Sequence, residues 1–127
     1  MDLTIHTGDG IFNYRACGLL IHEGKLLVTQ VEKDGHFFLP GGRVTFGEQA
    51  EAAVLREIRE EIGIECRILR TLWLNQAFFT HQDQRFHELC FYFLLDWSGT
   101  DLLSRGKEFF TWEGQKENRF LWVPFED

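Results

Sequence analysis

Runs of apolar and β-branched residues, broken by short polar or glycine-containing turns, make up most of the chain and are typical of β-strands. The predicted strands cover residues 11–23, 26–33, 37–39, 66–79, 86–97 and 119–123. Polar turns at 23–24, 33–35 and 81–84 separate neighbouring runs and predict hairpins. Residues 98–118 are polar and contain glycine, so we predict a loop there.

One segment has helical rather than alternating periodicity. Apolar residues recur on one face of this predicted helix at Leu55, Ile58 and Ile62. Thr45 and Glu48 have the spacing of a capping box, which predicts where the helix starts, and Gly63 predicts where it ends. A mixed sheet with one helix packed on it makes the predicted fold class α+β, in a single domain covering residues 1–127.

Length and charge narrow the classes of function. A chain of 127 residues can bury one core without disulfides or metals to hold it together. Its formal net charge is −7, with 13 Lys and Arg against 20 Asp and Glu. This balance argues against a protein that holds a polynucleotide on a basic face. Small phosphorylated ligands remain open, because a bound metal ion can supply the positive charge.

The three cysteines are widely spaced and form no CxxC or Cys/His metal pattern, which predicts three free, buried thiols in a cytoplasmic protein. The N-terminus has no basic and apolar leader, so we expect no secretory signal. No apolar run approaches the roughly 18 residues of a membrane span. We therefore expect a soluble protein that does not enter a membrane.

The predicted helix carries an acidic face opposite its apolar stripe. Glu57, Glu60 and Glu61 lie within an arc of about 100° on a helical wheel. Carboxylates at this spacing repel each other by a few tenths of a kcal/mol per pair. A hard divalent cation would offset that repulsion, because Mg²⁺ and Mn²⁺ prefer carboxylate oxygens. The alternative is an ordinary solvated acidic face.

The segment around this helix resembles a known family. Residues 42–64 read GRVTFGEQAEAAVLREIREEIGI, following a turn at Pro40 and Gly41. They resemble the Nudix box, G-x5-E-x7-R-E-U-x-E-E-x-G-U, in which U is apolar. Every specified position is matched, at Gly42, Glu48, Arg56, Glu57, Ile58, Glu60, Glu61, Gly63 and Ile64. Chance agreement at the fixed positions is of order 10⁻⁸ per start site, given average residue frequencies.

The resemblance implies a Nudix-type α/β/α sandwich with a mixed β-sheet. It also implies hydrolysis of a nucleoside diphosphate linked to another moiety, with Mg²⁺ or Mn²⁺ as the cofactor. The metal ligands it implies are Glu57, Glu60 and Glu61, joined by Glu48 and the backbone carbonyl of Gly41. Arg56 is then the residue that orients the carboxylates. The catalytic residues implied are Glu57, Glu60, Glu61 and Arg56.

Family members differ in which glutamate accepts a proton from water. Glu57 is one candidate in this chain. Glu113 and Glu117, in the predicted loop, are others and are also candidates for substrate contact, whereas Glu108 is less favoured. The alternative for each of these is a solvated loop carboxylate.

Aromatic residues are candidates for stacking on a nucleobase, the alternative being that they pack in the core. The candidates are Phe37, Phe38, Trp73, Phe78 and Phe79. The marker proline or tyrosine that some subfamilies carry beyond the box is absent from residues 75–81, which disfavours ADP-ribose and dinucleoside polyphosphates. His81 and His87 match no zinc spacing and are interpreted as surface histidines, while Glu88 is a lesser candidate for the pocket.

The family usually has a helix after its last strand, and this chain ends at residues 122–127, where that helix would begin. We therefore expect either a short member or a trimmed chain whose uncovered apolar sheet promotes a homodimer. The expected partner is a small phosphorylated nucleotide-type substrate, with no polynucleotide and no membrane. The alternative function is a non-catalytic Nudix domain that binds a nucleotide as a sensor or regulator, and RNA processing is disfavoured by the negative charge.

Overall fold

A computed structural model describes residues 1–30 and 36–125 and contains two β-sheets and one α-helix. The strands are β1 Thr4–His6, β2 Ile11–Leu19, β3 Ile21–His22, β4 Lys25–Gln30, β5 Gly41–Arg43, β6 Arg67–His81, β7 Gln84–Asp96, β8 Glu108–Glu113 and β9 Lys116–Pro124. The helix, α1, spans Ala50–Ile62, and a 3₁₀ turn spans Leu102–Arg105. The α+β class predicted from the sequence is confirmed.

The first sheet is mixed and has five strands, in the order β1-β2-β7-β6 with β5 also paired to β2. Its central pair, β2 and β7, is parallel, and the other pairs are antiparallel. The second sheet is antiparallel, in the order β3-β4-β9-β8. In residues 1–30 and 36–125, α1 is the only α-helix, so the second helical layer of a full sandwich does not lie within this part of the chain.

The core lies where α1 meets both sheets. Val54 and Ile58 of the helix pack with Phe93 of the mixed sheet and with Phe109 and Phe120 of the antiparallel sheet. The predicted apolar stripe is confirmed at Ile58 and Ile62, which are buried, whereas Leu55 is only partly buried. The small residues Ala50 and Ala53 complete the buried face because they let the helix approach the sheet closely.

The two predicted ends of the helix have different outcomes. Gly63 has a left-handed φ of 80° and donates its backbone N–H to the carbonyl of Arg59 at 2.9 Å, so the predicted C-terminal stop is confirmed. The Thr45 backbone N–H and hydroxyl both donate to Glu48 Oε1 at 3.1 Å. The helix begins only after Gln49, however, so this pair stabilises the preceding turn and does not cap α1.

Several predicted strand limits need correction. The predicted strand 11–23 is split at the buried Leu20 into β2 and β3, because the chain passes there from one sheet to the other. The predicted strand 37–39 is only an isolated bridge between Thr29 and Phe38, and the real strand, β5, follows it. The predicted strand 26–33 is observed as β4, while the predicted turn at 33–35 and residues 31–33 lie outside the described residues.

The prediction of a loop over residues 98–118 is wrong. This segment contains the 3₁₀ turn, all of β8 and the first residues of β9. Strands β8 and β9 form an antiparallel hairpin around Gly114, which has a φ of 62°. The aromatic side chains of Phe110 and Trp112 are exposed on the outer face, so the apolar-polar alternation that marks a half-buried strand is hidden.

No helix in the described part of the chain is both long and apolar enough to cross a bilayer. All three cysteines are unpaired and buried, and the Cys90 thiol lies 3.5 Å from the Cys17 sulfur. The predicted cytoplasmic location stays a prediction.

Candidate active site

A cavity of about 650 Å³ opens between the mixed sheet, the start of β5, helix α1 and the β8–β9 hairpin. Its floor is formed by alternate residues of the parallel strands β2 and β7, including Asn13, Arg15, Phe86 and Glu88. The other face of the sheet packs on α1, since a Cβ added to Gly18 would meet Leu95 and Val54. The sheet therefore separates the cavity from the core beneath it.

Two of the three helix carboxylates line this cavity. Glu57 and Glu61 lie one turn apart and both face it, whereas the side chain of Glu60 is 50% exposed and lies outside the cavity lining. Gly42 makes room for Glu57, because a Cβ at Gly42 would overlap the Glu57 carboxylate. Gly41 has a φ of 152°, and a Cβ there would collide with the backbone of β2. These two glycines bring β5 close to the acidic face of the helix.

Both cavity-facing carboxyl groups have raised pKa values. Burial raises the pKa of Glu61 to about 8, with further contributions from the negative charges of Glu57 and Glu113, while a hydrogen bond from the Gly41 backbone lowers it in part. Burial also raises the pKa of Glu57, although its hydrogen bond from Arg56 acts in the opposite direction. In the absence of a ligand the site therefore disfavours the ionised forms of these two carboxyl groups, and a bound cation would favour them.

Arg56 organises the carboxylates on the outer side of the cavity. Its Nε donates to Glu48 Oε2 at 2.8 Å and its Nη2 donates to Glu48 Oε1 at 3.0 Å, which is a bidentate pair. Its Nη1 donates to Glu57 Oε1 at 2.9 Å and reaches Glu60 at 3.3 Å. Its Nη2 also donates to the Arg43 carbonyl. The Arg56 hydrogen bond lowers the pKa of Glu48 to about 2, so Glu48 is ionised.

The donor chemistry of this region fits a hard divalent cation. Glu57, Glu61 and Gly41 surround one cavity with oxygen donors. Arg56 pairs with Glu57, whereas Glu61 forms no ion pair within the described residues. Among residues 1–30 and 36–125, however, no three His, Cys, Asp or Glu side chains are close enough together to bind one ion without moving. Glu60 and Glu48 are held by Arg56 and would have to reorient to join a ligand set.

The β8–β9 hairpin contributes one of its two predicted glutamates. Glu113 lines the cavity and accepts a hydrogen bond from Asn118 Nδ2 at 2.8 Å. Lys116, paired with Glu113 across the hairpin, also lines it. Glu117 is exposed and paired with Trp112 on the opposite face, because successive residues of a strand point to opposite sides. The structure therefore does not bring Glu117 to the cavity.

The same alternation separates the two candidate aromatics of β6. Phe79 lines the cavity and stacks on Phe86, with ring centroids 5.0 Å apart and planes 6° apart. Phe78 points to the other face, where it packs against His87 at 4.4 Å. Phe37 borders a neighbouring cavity of about 440 Å³.

The other sequence candidates fall into two groups. Phe38 and His81 line the main cavity. Trp73 packs against Tyr92, with ring centroids 5.3 Å apart.

Arg15 and Lys116 are cavity residues that the sequence interpretation missed, and Glu88, the lesser candidate, also lines the cavity. One signal was present, because Asn13 and Arg15 are polar residues at alternate positions of an otherwise largely apolar strand. Such a pattern indicates that one face of the strand meets something polar. No comparable signal marks Lys116, because its strand partner lies in the segment interpreted as a loop.

Three comparisons relate the chain to known proteins. The family model described as NUDIX domain matches residues 13–127. An ADP-ribose pyrophosphatase of Methanocaldococcus jannaschii is 34% identical over 88 residues, covering 67% of this chain and 51% of the relative. Putative nudix hydrolase 1 of Caenorhabditis elegans is 29% identical over 121 residues, covering 76% of this chain and 33% of the relative. The chain thus spans between a third and about half of these relatives' lengths.

Among solved structures, a MutT NUDIX hydrolase from Burkholderia pseudomallei is similar with a TM-score of 0.61 and 21% identity, covering 91% of this chain and 85% of the other. At that identity the likeness shows the fold, and the Nudix-type fold expected from the sequence is confirmed. The family match extends over most of the chain and includes most of β2 and all of β5, α1 and the β8–β9 hairpin that surround the cavity. The chain belongs to the NUDIX family.

Proposed function

We propose that this protein hydrolyses the diphosphate of a nucleoside diphosphate linked to another moiety, with Mg²⁺ or Mn²⁺ as the cofactor. The observation that carries the proposal is the pair Glu57 and Glu61, two partly buried carboxylates with raised pKa values on the wall of a 650 Å³ cavity. Arg56 compensates Glu57 only in part, and ionising both partly buried carboxylates together is costly without a ligand to neutralise them. A cavity of this size accommodates a small phosphorylated compound.

Glu57, Glu60 and Glu61 would hold the metal, with Glu48 and the Gly41 carbonyl as further oxygen donors. When bound there, a divalent cation supplies charge to offset the phosphate oxygens and lowers the pKa of water. Arg56 orients the carboxylates through its hydrogen bonds to Glu48 and Glu57. The reaction consumes one water and yields a nucleoside monophosphate and the phosphorylated remainder.

Two carboxylates are candidates to accept the proton of the attacking water. Glu57 lies on the helix wall, and Glu113 lies on the hairpin wall, where its hydrogen bond from Asn118 at 2.8 Å fixes its position. The stacked rings of Phe79 and Phe86 offer a flat apolar face at the cavity edge. Stacking of a base on such a face contributes about 1–3 kcal/mol and is tolerant of base identity.

The test is product analysis with a panel of nucleoside triphosphates, nucleotide sugars and ADP-ribose. We expect at least one compound to release a nucleoside monophosphate in Mg²⁺ or Mn²⁺ and none to do so in excess EDTA. Glu57→Gln should lower kcat by at least about a hundredfold. Glu51→Gln, on the exposed first turn of the same helix, is the matched control and should leave turnover unchanged.

Two results would contradict the proposal. Full activity in EDTA, or unchanged turnover in Glu57→Gln, would show that the acidic helix face is not the reactive centre. Cleavage of no compound, together with a rise in melting temperature on adding a nucleotide, would favour the alternative of a non-catalytic nucleotide-binding domain.

A further inference from the structure

Arg15 lies on the floor of the cavity with its guanidinium group unused by the fold. The side chain is 28% exposed, and its one ion pair, to Glu88 Oε1, spans 3.8 Å, which is too long for a hydrogen bond. Within residues 1–30 and 36–125 the Arg15 side chain donates no hydrogen bond to another residue. An arginine carries five N–H donors and keeps its charge at any physiological pH. These donors therefore open onto the cavity.

The other arginines of this region are engaged differently. Arg56 donates to Glu48, Glu57 and Glu60 and to a backbone carbonyl, so its donors are satisfied within the protein. Arg43 is 48% exposed and faces Asp2 at 4.0 Å at the cavity rim. Of these three, Arg15 combines substantial burial with unsatisfied donors. Polar groups in that state are typical of a ligand site.

Arg15 lies where it can contact a phosphate adjacent to one bound at the acidic helix face. Arg15 is paired with Arg43 across the β2–β5 ladder. Arg43 directly follows Gly41 and Gly42, the two glycines that bring β5 close to the acidic helix face. It lines the same cavity as both glutamates and as Phe79. A group bound at Arg15 thus lies between the acidic helix face and the aromatic pair. The planar guanidinium fork binds two oxygens of one phosphate at once.

We infer that Arg15 binds a phosphate next to the one held at the acidic helix face, and that it thereby makes the site selective for diphosphates over monophosphates. This inference rests on the proposed function, since it assigns the second phosphate of the same substrate. Glu88, at 3.8 Å, is too distant to accept a hydrogen bond from the guanidinium, so it leaves the donors of Arg15 available. Arg15 is accordingly a residue that determines specificity through direct contact with the substrate.

The experiment measures equilibrium binding of two probes, α,β-methylene-ADP and AMP, by calorimetry in the presence of Mn²⁺. We expect Arg15→Gln to weaken binding of the diphosphate analogue by about 10- to 100-fold, the loss of two charge-assisted hydrogen bonds. Binding of AMP and of Mn²⁺ alone should change less than about threefold, a shift below 1 kcal/mol. Arg15→Lys should restore the analogue only in part, because it keeps the charge and loses the fork.

Two controls separate ligand binding from a structural role. Arg67→Gln removes the same charge from a side chain that is 81% exposed on β6 and should bind both probes as the wild type does. Glu88→Gln removes the ion-pair partner and should retain analogue binding. The inference is overturned if Arg15→Gln binds the analogue normally, if both probes weaken equally, or if Glu88→Gln reproduces the whole loss. If Arg15→Gln does not fold, the inference is tested by Arg15→Lys, which should bind the analogue more weakly than the wild type, and by Glu88→Gln, which should not.

The results distinguish failure of the proposed hydrolysis from failure of the inference about Arg15. A wild-type protein that cleaves no compound but binds the diphosphate analogue through Arg15 contradicts the proposed function and supports the inference. A wild-type protein that cleaves a diphosphate with a KM unaffected by Arg15→Gln supports the function and overturns the inference.

Discussion

Neutralising Glu61 should make the metal-free protein more stable at alkaline pH. Burial and neighbouring carboxylates raise the pKa of Glu61 from 4.5 to about 8. Because the folded-state pKa lies above the unfolded value, the ionised group opposes folding, and stability falls as pH rises from about 4.5 to about 8. The penalty is absent below this range and complete above it. Glu61→Gln cannot ionise and should not lose this stability.

The magnitude follows from the size of the pKa shift. At about 1.36 kcal/mol per unit, the full shift corresponds to at most about 5 kcal/mol. Water in the open cavity screens the carboxylate, which reduces the penalty to about 1–3 kcal/mol. For a chain of this size, each kcal/mol changes Tm by about 4 °C. Glu61→Gln should therefore melt about 4–12 °C above the wild type at pH 8.5 and close to it at pH 4.5.

The assay is thermal unfolding followed by circular dichroism in EDTA, from pH 4.5 to pH 9. Glu60→Gln is the matched control, since Glu60 lies on the same helix face but is half exposed, and its Tm should follow that of the wild type. Adding Mg²⁺ should stabilise the wild type more at pH 8.5 than at pH 5, because a metal ligand must be deprotonated. Mg²⁺ should stabilise Glu61→Gln less than the wild type at both pH values.

A constant Tm difference between Glu61→Gln and the wild type across this range would refute the reasoning. It would show that the Glu61 carboxylate is solvated in the folded protein and is not confined with Glu57 and Glu113. An equal gain from Mg²⁺ in both proteins would show that Glu61 is not a metal ligand.

Three further predictions concern the same region and its surroundings. Gly42→Ala should weaken Mn²⁺ binding by about 10- to 100-fold with little change in Tm, because the added Cβ displaces the Glu57 carboxylate. Gly8→Ala, whose Cβ would have nothing within 4 Å, is the control, and equal Mn²⁺ affinities of the two variants would contradict the close contact between Gly42 and Glu57. Arg56→Ala should weaken metal affinity or turnover by about 10- to 100-fold, and Arg56→Lys should not fully restore it. A metal titration of Arg56→Ala that equals that of the wild type would show that Arg56 does not orient the metal ligands. Thiol titration of freshly purified, denatured protein without reductant should find three sulfhydryls, and finding only Cys66 would reveal a disulfide.

The acidic helix and its C-terminal end follow from local sequence, whereas its predicted start at the Thr45 and Glu48 pair does not. The apolar spacing of Ile58 and Ile62 determines which face of α1 is buried, and the glycine at residue 63 ends the helix because it adopts a left-handed φ without steric cost. The opposite face then necessarily carries Glu57, Glu60 and Glu61. These relations involve residues within about one or two turns of each other. The sequence alone was therefore sufficient to predict the helix and its excess of negative charge.

Which other residues join that helix is decided by strand pairing over long sequence distances. Arg15 reaches the cavity because β2 pairs in parallel with β7, whose nearest residue to it, Cys90, lies far along the chain. The register of β6 against β7 points Phe79 into the cavity and Phe78 away from it. A shift of one residue would reverse that choice, and no local pattern specifies it.

The β8–β9 hairpin shows the same division most clearly. The resemblance to the Nudix family implied that a glutamate of this segment lies near the site, but Glu113 and Glu117 were equal candidates. The hairpin register places Glu113 beside Asn118 on the inner face and Glu117 beside Trp112 on the outer face. Local spacing therefore determined the helix and its charges, whereas only the packing of two sheets around it decided which side chains share the cavity, because a strand's faces are assigned by its partners and not by its own residues.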